Sequence, residues 1–98
     1  MINVLVHHKI ADYPKWRAAF DAAMDFRHEG GERSCRIFRN AEDDNDLTLL
    51  FEWENGDLAQ RYMHSAELQS KMKEAGVMGQ PEVVYLSEMY TVRRSAAD

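Results

Sequence analysis

Residues 33–53 read RSCRIFRNAEDDNDLTLLFEW, and this stretch decides the fold. Two strand-like runs, Arg33 to Arg39 and Leu47 to Trp53, flank Asn40 to Asp46, a connection that is turn-forming or acidic except for Ala41. A crossover to a parallel neighbour takes about a dozen residues or more, usually a helix, so this connection is too short for one. The two runs must therefore pair as an antiparallel hairpin.

On the N-terminal side, Ile2 to Ile10 carries Val4, Leu5 and Val6 without a helix breaker, which predicts a strand. Asp12 then supplies a helix cap and Pro14 fits a first turn. Trp16, Phe20, Ala23 and Arg27 recur at helical spacing up to Gly30–Gly31, where glycine tolerates a left-handed exit. On the C-terminal side, Asn55-Gly56-Asp57 opens a short helix through His64. Ser65 with Glu67 opens a second helix to Ala75, which Gly76 ends. Pro81 precedes a final strand over Val83 to Val92, followed by a polar tail. The order β-α-β-β-α-β is the split βαβ arrangement of a ferredoxin-like α+β domain, with an antiparallel four-stranded sheet and a broken second helix. The expected organisation is one domain over residues 1–92 with a tail at 93–98, a size consistent with a single core for 98 residues.

Composition narrows the partners. A formal net charge of -5 without a basic stripe argues against nucleic acid. The lone Cys35 has no intramolecular partner and no secretory leader pattern opens the chain, so a reducing cytoplasm is the expected compartment. The longest apolar runs, such as Leu47 to Phe51, fall far short of the roughly 20 residues that span a bilayer, so no membrane insertion is expected.

Both faces of the sheet look apolar. Leu47, Leu49 and Phe51 share one face while Leu50 takes the other, and Val83, Tyr85 and Met89 oppose Val84, Leu86 and Tyr90. The helices of such a domain cover only one face, leaving a flat apolar face of roughly 400 Å² from strands rising about 3.3 Å per residue. Patches of that size usually mark interaction sites, so the chain is expected to pair with a second copy of itself through the sheet; the alternative is a bent final strand packed under the tail.

Three stretches carry a likeness to a known family. They are Val6-His7-His8-Lys9-Ile10-Ala11-Asp12-Tyr13 with Trp16 and Phe20-Asp21; the hairpin from Ile37-Phe38-Arg39 through Asn45 to Phe51-Glu52-Trp53; and Ser65-Ala66-Glu67-Leu68 through Met72 to Ala75-Gly76-Val77 and Pro81-Glu82. Together they resemble the antibiotic-biosynthesis-monooxygenase-like group of dimeric α/β-barrel proteins over nearly the whole chain. The resemblance implies a homodimer whose sheets face each other, with a ligand cleft between sheet and helices in each subunit. Some relatives oxygenate quinol-like aromatics without metal or flavin, others bind or degrade haem or cyclise polyketides, and some have no known activity. Fold likeness transmits architecture better than reaction. No haem-degrading site is matched, and no cofactor is expected.

Candidate site residues follow. His7 and His8 are consecutive on a strand and point to opposite faces, so they cannot share a metal. His8, on the side of Val4 and Val6, is the candidate catalytic base for a phenolic proton, the alternative being a core histidine satisfied by a neighbour. Tyr62 and His64, on the short helix, and Trp53, at a strand end, are candidate ligand-binding residues. Tyr62 equally suits the core, and His64 an exposed helix end. Glu42, Asp43, Asp44 and Asp46 lack the glycine and distal glutamate of a calcium loop, so no metal site is expected. Two functions stand side by side: a cofactor-independent monooxygenase-like enzyme acting on a small aromatic or polyketide-like molecule, and a non-catalytic ligand-binding or stress-associated dimer. A cleft above about 300 Å³ with convergent polar groups would favour a site.

Overall fold

The expected hairpin forms, and it is tighter than its sequence suggests. In the computed structural model, which describes residues 1–95, the chain runs β1 (Ile2–Ile10), α1 (Tyr13–Ala22), α2 (Met24–Glu29), β2 (Glu32–Asn40), β3 (Asp43–Trp53), α3 (Gly56–Met63), α4 (Ala66–Glu74) and β4 (Val77–Leu86). Asn40 pairs with Asp43 around Ala41–Glu42, and the register then shifts so that Arg39 faces Leu47. The acidic residues become a bulge because their own side chains hold the backbone. Asn40 accepts from the Glu42 N–H at 2.8 Å and Asp43 accepts from the Asn45 N–H at 3.0 Å.

All three strand pairings are antiparallel and the sheet order is β2-β3-β1-β4, the ferredoxin-like arrangement. Three helix starts are capped as the sequence predicts. Asp12 accepts from the Lys15 N–H, Asn55 from Leu58 and Ser65 from Leu68.

Two boundaries differ from expectation. The first helix breaks at Ala23, whose N–H is shared between the Ala19 and Phe20 carbonyls at 3.2 Å each. The Arg27 guanidinium reaches back to that same Phe20 carbonyl, competing with the helical ladder at this turn. The last strand covers Val77–Leu86 rather than Val83–Val92. Its partner decides the limits, since Val77 pairs with Ile10 and Leu86 with Asn3, close to the two ends of β1. Gly79, at φ +71°, sits at the register shift between His7 and Lys9, and Pro81 is tolerated because β4 is an edge strand. Met89, Tyr90 and Val92 consequently lie beyond the sheet and are exposed. The last three residues of the expected tail lie outside the described residues.

The core is built on one face. Val4, Val6, Leu47, Leu49 and Phe51 project under Trp16 of α1 and Tyr62 and Met63 of α3, whereas α4 buries no residue completely. The opposite face carries Leu5, Leu50, Phe38, Val84 and Leu86, with Phe38, Val84 and Leu86 exposed by 41–44%. Among the described residues no helix is long and apolar enough to cross a membrane.

Candidate functional site

The strand alternation that sends Val4 and Val6 under the helices sends His8 there too. His8 is 6% exposed, packs edge-on against Trp16 at 5.8 Å between ring centroids, and lines a half-open cavity between the sheet and the helices. Neither ring nitrogen has a hydrogen-bond partner in the protein. Burial, and secondarily the neighbouring charge of His7, lowers its pKa to about 4, so the ring is neutral at physiological pH.

From His8 the wall continues along the helices. Trp16 stacks on Phe20 at 4.9 Å, and the Arg27 guanidinium lies 3.6 Å over the Phe20 ring. Steps of three and four residues along α1 and α2 make this row, with Ala23 between Phe20 and Arg27. Arg27 is buried. Its Nε donates to Glu32 at 2.6 Å and its Nη1 to the Phe20 carbonyl. From α4, Leu68, Lys71, Met72 and Ala75 face the same cavity, and the Lys71 ammonium lies 5.0 Å over Phe26.

Two chambers adjoin at this site. The one at His8 measures about 80 Å³ and is almost wholly apolar apart from His8, Arg27, Lys71 and Tyr62. The second, about 280 Å³, opens between β4 and the two later helices, beside His64, Gln69, Gln80 and Tyr85. Val6, Met63, Leu68 and Met72 border both, so flexible methionine side chains form part of the partition.

The expected site residues are therefore partly gathered. His8 and Tyr62 meet in the smaller chamber, where burial raises the Tyr62 phenol well above its usual range and keeps it protonated. His64 borders the other chamber, is largely exposed, and its Nδ1 lies 2.8 Å from the Gln60 carbonyl. Trp53 is not brought to either chamber. Its indole is fully enclosed and donates to the Gly30 carbonyl at 2.8 Å. It nests against Gly31, at φ +114°, where an added Cβ would come within 2.7 Å of the indole nitrogen. The missed cavity residues are Arg27 and Lys71. Their signal was a cation on each inward helical stripe, Trp16-Phe20-Ala23-Arg27 and Leu68-Lys71-Met72-Ala75.

Other reactive groups offer little. Cys35 is half-buried and its thiol is pushed up to about 12 by burial, too high for a nucleophile. Among the described residues no group of three potential ligands gathers to hold a metal ion. Asp43 and Asp46 of the acidic bulge are engaged with Lys9 and His7.

Solved structures share this architecture. A Bordetella bronchiseptica protein assigned as an antibiotic biosynthesis monooxygenase superposes with a TM-score of 0.75 at 18% identity, over 91% of this chain and 97% of its own. The fold is that of the antibiotic biosynthesis monooxygenases. SnoaB, a cofactor-independent oxygenase from Streptomyces nogalater, matches at a TM-score of 0.66 and 12% identity, over 99% and 97% of the two chains. A Streptomyces coelicolor monooxygenase in complex with nanaomycin D matches at 0.63 and 15%, over 96% and 92%. No protein-family model matches the chain, and no curated protein matches it. At these identities the likeness to the antibiotic biosynthesis monooxygenases is one of fold, and function has to be argued from the cleft.

Proposed function

We propose that this chain is a cofactor-independent, monooxygenase-like enzyme that acts on an ionisable aromatic molecule in the cleft, with His8 as the proton acceptor. The observation that carries this is the buried imidazole with two unpaired nitrogens facing a cavity. Leaving a buried polar group unpaired costs about 1–3 kcal/mol, and a ligand hydroxyl would remove that cost. A neutral ring keeps the lone pair that general-base catalysis needs. A phenol placed against His8 would pass its proton to the imidazole. The phenolate and imidazolium then form an ion pair in a low-dielectric site, which offsets the low basicity of the free ring. The electron-rich ring would react with O₂ so that a hydroxyarene and O₂ yield a quinone and water. One oxygen atom replaces a ring C–H, and the other leaves as water with that hydrogen and the hydroxyl hydrogen.

Two of the structurally similar proteins support the chemistry by their own descriptions, one a cofactor-independent oxygenase and one a monooxygenase holding nanaomycin D. The second reading is a non-catalytic ligand-binding dimer, which the small chamber of about 80 Å³ at His8 favours. Oxygen uptake over a panel of dihydroxy-aromatic compounds separates them. Uptake that falls by about 10²- to 10⁴-fold in His8→Gln supports the enzyme. Binding without uptake supports the binding protein, and uptake unchanged by the substitution removes His8 as the proton acceptor.

In the same proposal the uncovered sheet face joins a second copy of the chain, because Phe38, Val84 and Leu86 are exposed beside the half-buried Leu5 and Leu50. Light scattering at micromolar concentration should give twice the mass of one chain, and Val84→Asp should return it to a monomer. A monomeric wild type would remove this part of the proposal.

A further inference from the structure

The charge of the cleft plays no part in that reaction. Two ionised side chains line the chambers, Arg27 and Lys71, both cations, and no acidic side chain lines either chamber among the described residues. This occurs in a chain whose formal net charge is -5. Each cation occupies a position where helical periodicity otherwise places an apolar side chain; Arg27 is buried and Lys71 half-buried, so the desolvation cost falls mainly on Arg27.

The protein compensates only one of them. Glu32 stands 2.6 Å behind the Arg27 Nε. That contact and the one to the Phe20 carbonyl engage two of the five guanidinium N–H donors. Among the described residues no carboxylate lies within ion-pair distance of Lys71, whose ammonium sits over Phe26. At the corner where α2 meets α4 the cavity wall itself is therefore only cationic, with Glu32 behind Arg27 and the exposed Glu67, near enough to act on Tyr62, outside the lining. His8 is neutral and Tyr62 protonated, so neither cancels that charge.

We propose that the cleft selects anionic ligands: a flat apolar molecule bearing one carboxylate or similar anionic group, held at the α2–α4 corner by Arg27 and Lys71. Its apolar body would lie along Trp16 and Phe20 toward His8. The proposal rests on the cleft being a ligand site and adds the charge of the ligand. Arg27 and Lys71 are then specificity residues, acting on binding and not on the reacting bond.

A matched pair of probes tests it. 2-Naphthoate and 2-naphthamide share a ring system and nearly the same shape but differ by one charge. Calorimetric titration at pH 7.5 and low salt should show the carboxylate binding at least tenfold tighter. Lys71→Met keeps the aliphatic stem, and should reduce the preference to threefold or less while leaving the affinity for 2-naphthamide within twofold. Arg27→Met combined with Glu32→Gln avoids stranding a buried carboxylate and should act in the same direction. Lys73→Met, on the exposed side of α4, should keep the preference. Equal affinity for the two probes, or a preference that survives both Lys71→Met and the paired substitution, overturns the charge selection but leaves the ligand site standing. A loss as large in Lys73→Met assigns the effect to overall charge and also overturns it. Failure of both probes to bind overturns the ligand site as well.

Discussion

His7 and His8 are consecutive on β1, yet the sheet gives them opposite surroundings. On the open face His7 stands between two carboxylates, Nε2 at 2.5 Å from Asp46 and Nδ1 at 3.1 Å from Glu82. Both acceptors are served together only by the protonated ring, and these bonds, Glu82 first, raise its pKa above 6.5. On the covered face His8 has no protein partner and its pKa drops to about 4. A purely structural sheet would show the reverse, since water satisfies an open face and buried polar groups are normally paired. The polar groups of the open face complete one another, whereas the covered face keeps unsatisfied imidazole nitrogens. That asymmetry is the ground on which the covered face is proposed as the binding side.

The largest effect should come from disturbing the buried ion pair of the covered face. Arg27→Met removes the partner of Glu32, both buried, and breaking such a pair by one member costs about 3–5 kcal/mol. Arg36→Met on the open face, made in the monomeric Val84→Asp background, removes an exposed guanidinium lying 5.0 Å over Phe38, and should cost under about 1 kcal/mol. Urea unfolding at pH 7 measures both. Similar losses would erase the contrast between the faces.

The next effect is on the acid side of the stability profile. The folded pKa of His8 lies below the unfolded value of 6.5, so the unfolded chain binds the proton more readily. Its contribution is therefore fully present above about pH 6.5 and is lost as pH falls toward 4, by on the order of 3 kcal/mol. His8→Phe, which keeps a ring against Trp16, should flatten this limb of the urea midpoint against pH. A variant as acid-sensitive as the wild type would place the loss elsewhere.

Much of this contrast was legible in the chain. Period-two alternation puts His8 with Val4 and Val6 whatever the details of the fold, and the helix caps at Asp12, Asn55 and Ser65 are local signals that tertiary packing had no cause to override. Trp53 was not legible as core, because its enclosure depends on Gly30 and Gly31, more than 20 residues away in sequence, admitting the indole. The span of β4 depends on β1 in the same way, since an edge strand extends only as far as its neighbour pairs with it. Arg27 and Lys71 were visible as breaks in apolar stripes, but a stripe does not say whether its last residue faces a core, a cavity or solvent.

The smallest effect has the opposite sign and tests the comparison most directly. His7 gains its proton-holding bonds on folding, so its contribution is fully present below pH 6.5 and is lost as pH rises through the raised folded pKa. In the single chain, as in the monomeric Val84→Asp background, His7 is a third exposed, and screening should hold the effect under about 1 kcal/mol and reduce it further in high salt. His7→Gln should therefore be less stable than wild type at pH 6 and indistinguishable from it well above the folded pKa. Proton NMR of the ring Cε1–H resonances removes the need to infer the sign from stability. One histidine should titrate above 6.5 and disappear in His7→Gln, while another should stay neutral to near pH 4 and disappear in His8→Phe. If both rings titrated together near 6.5, the two faces would offer equivalent surroundings, and the case for the covered face as a binding side would lose its chemical basis.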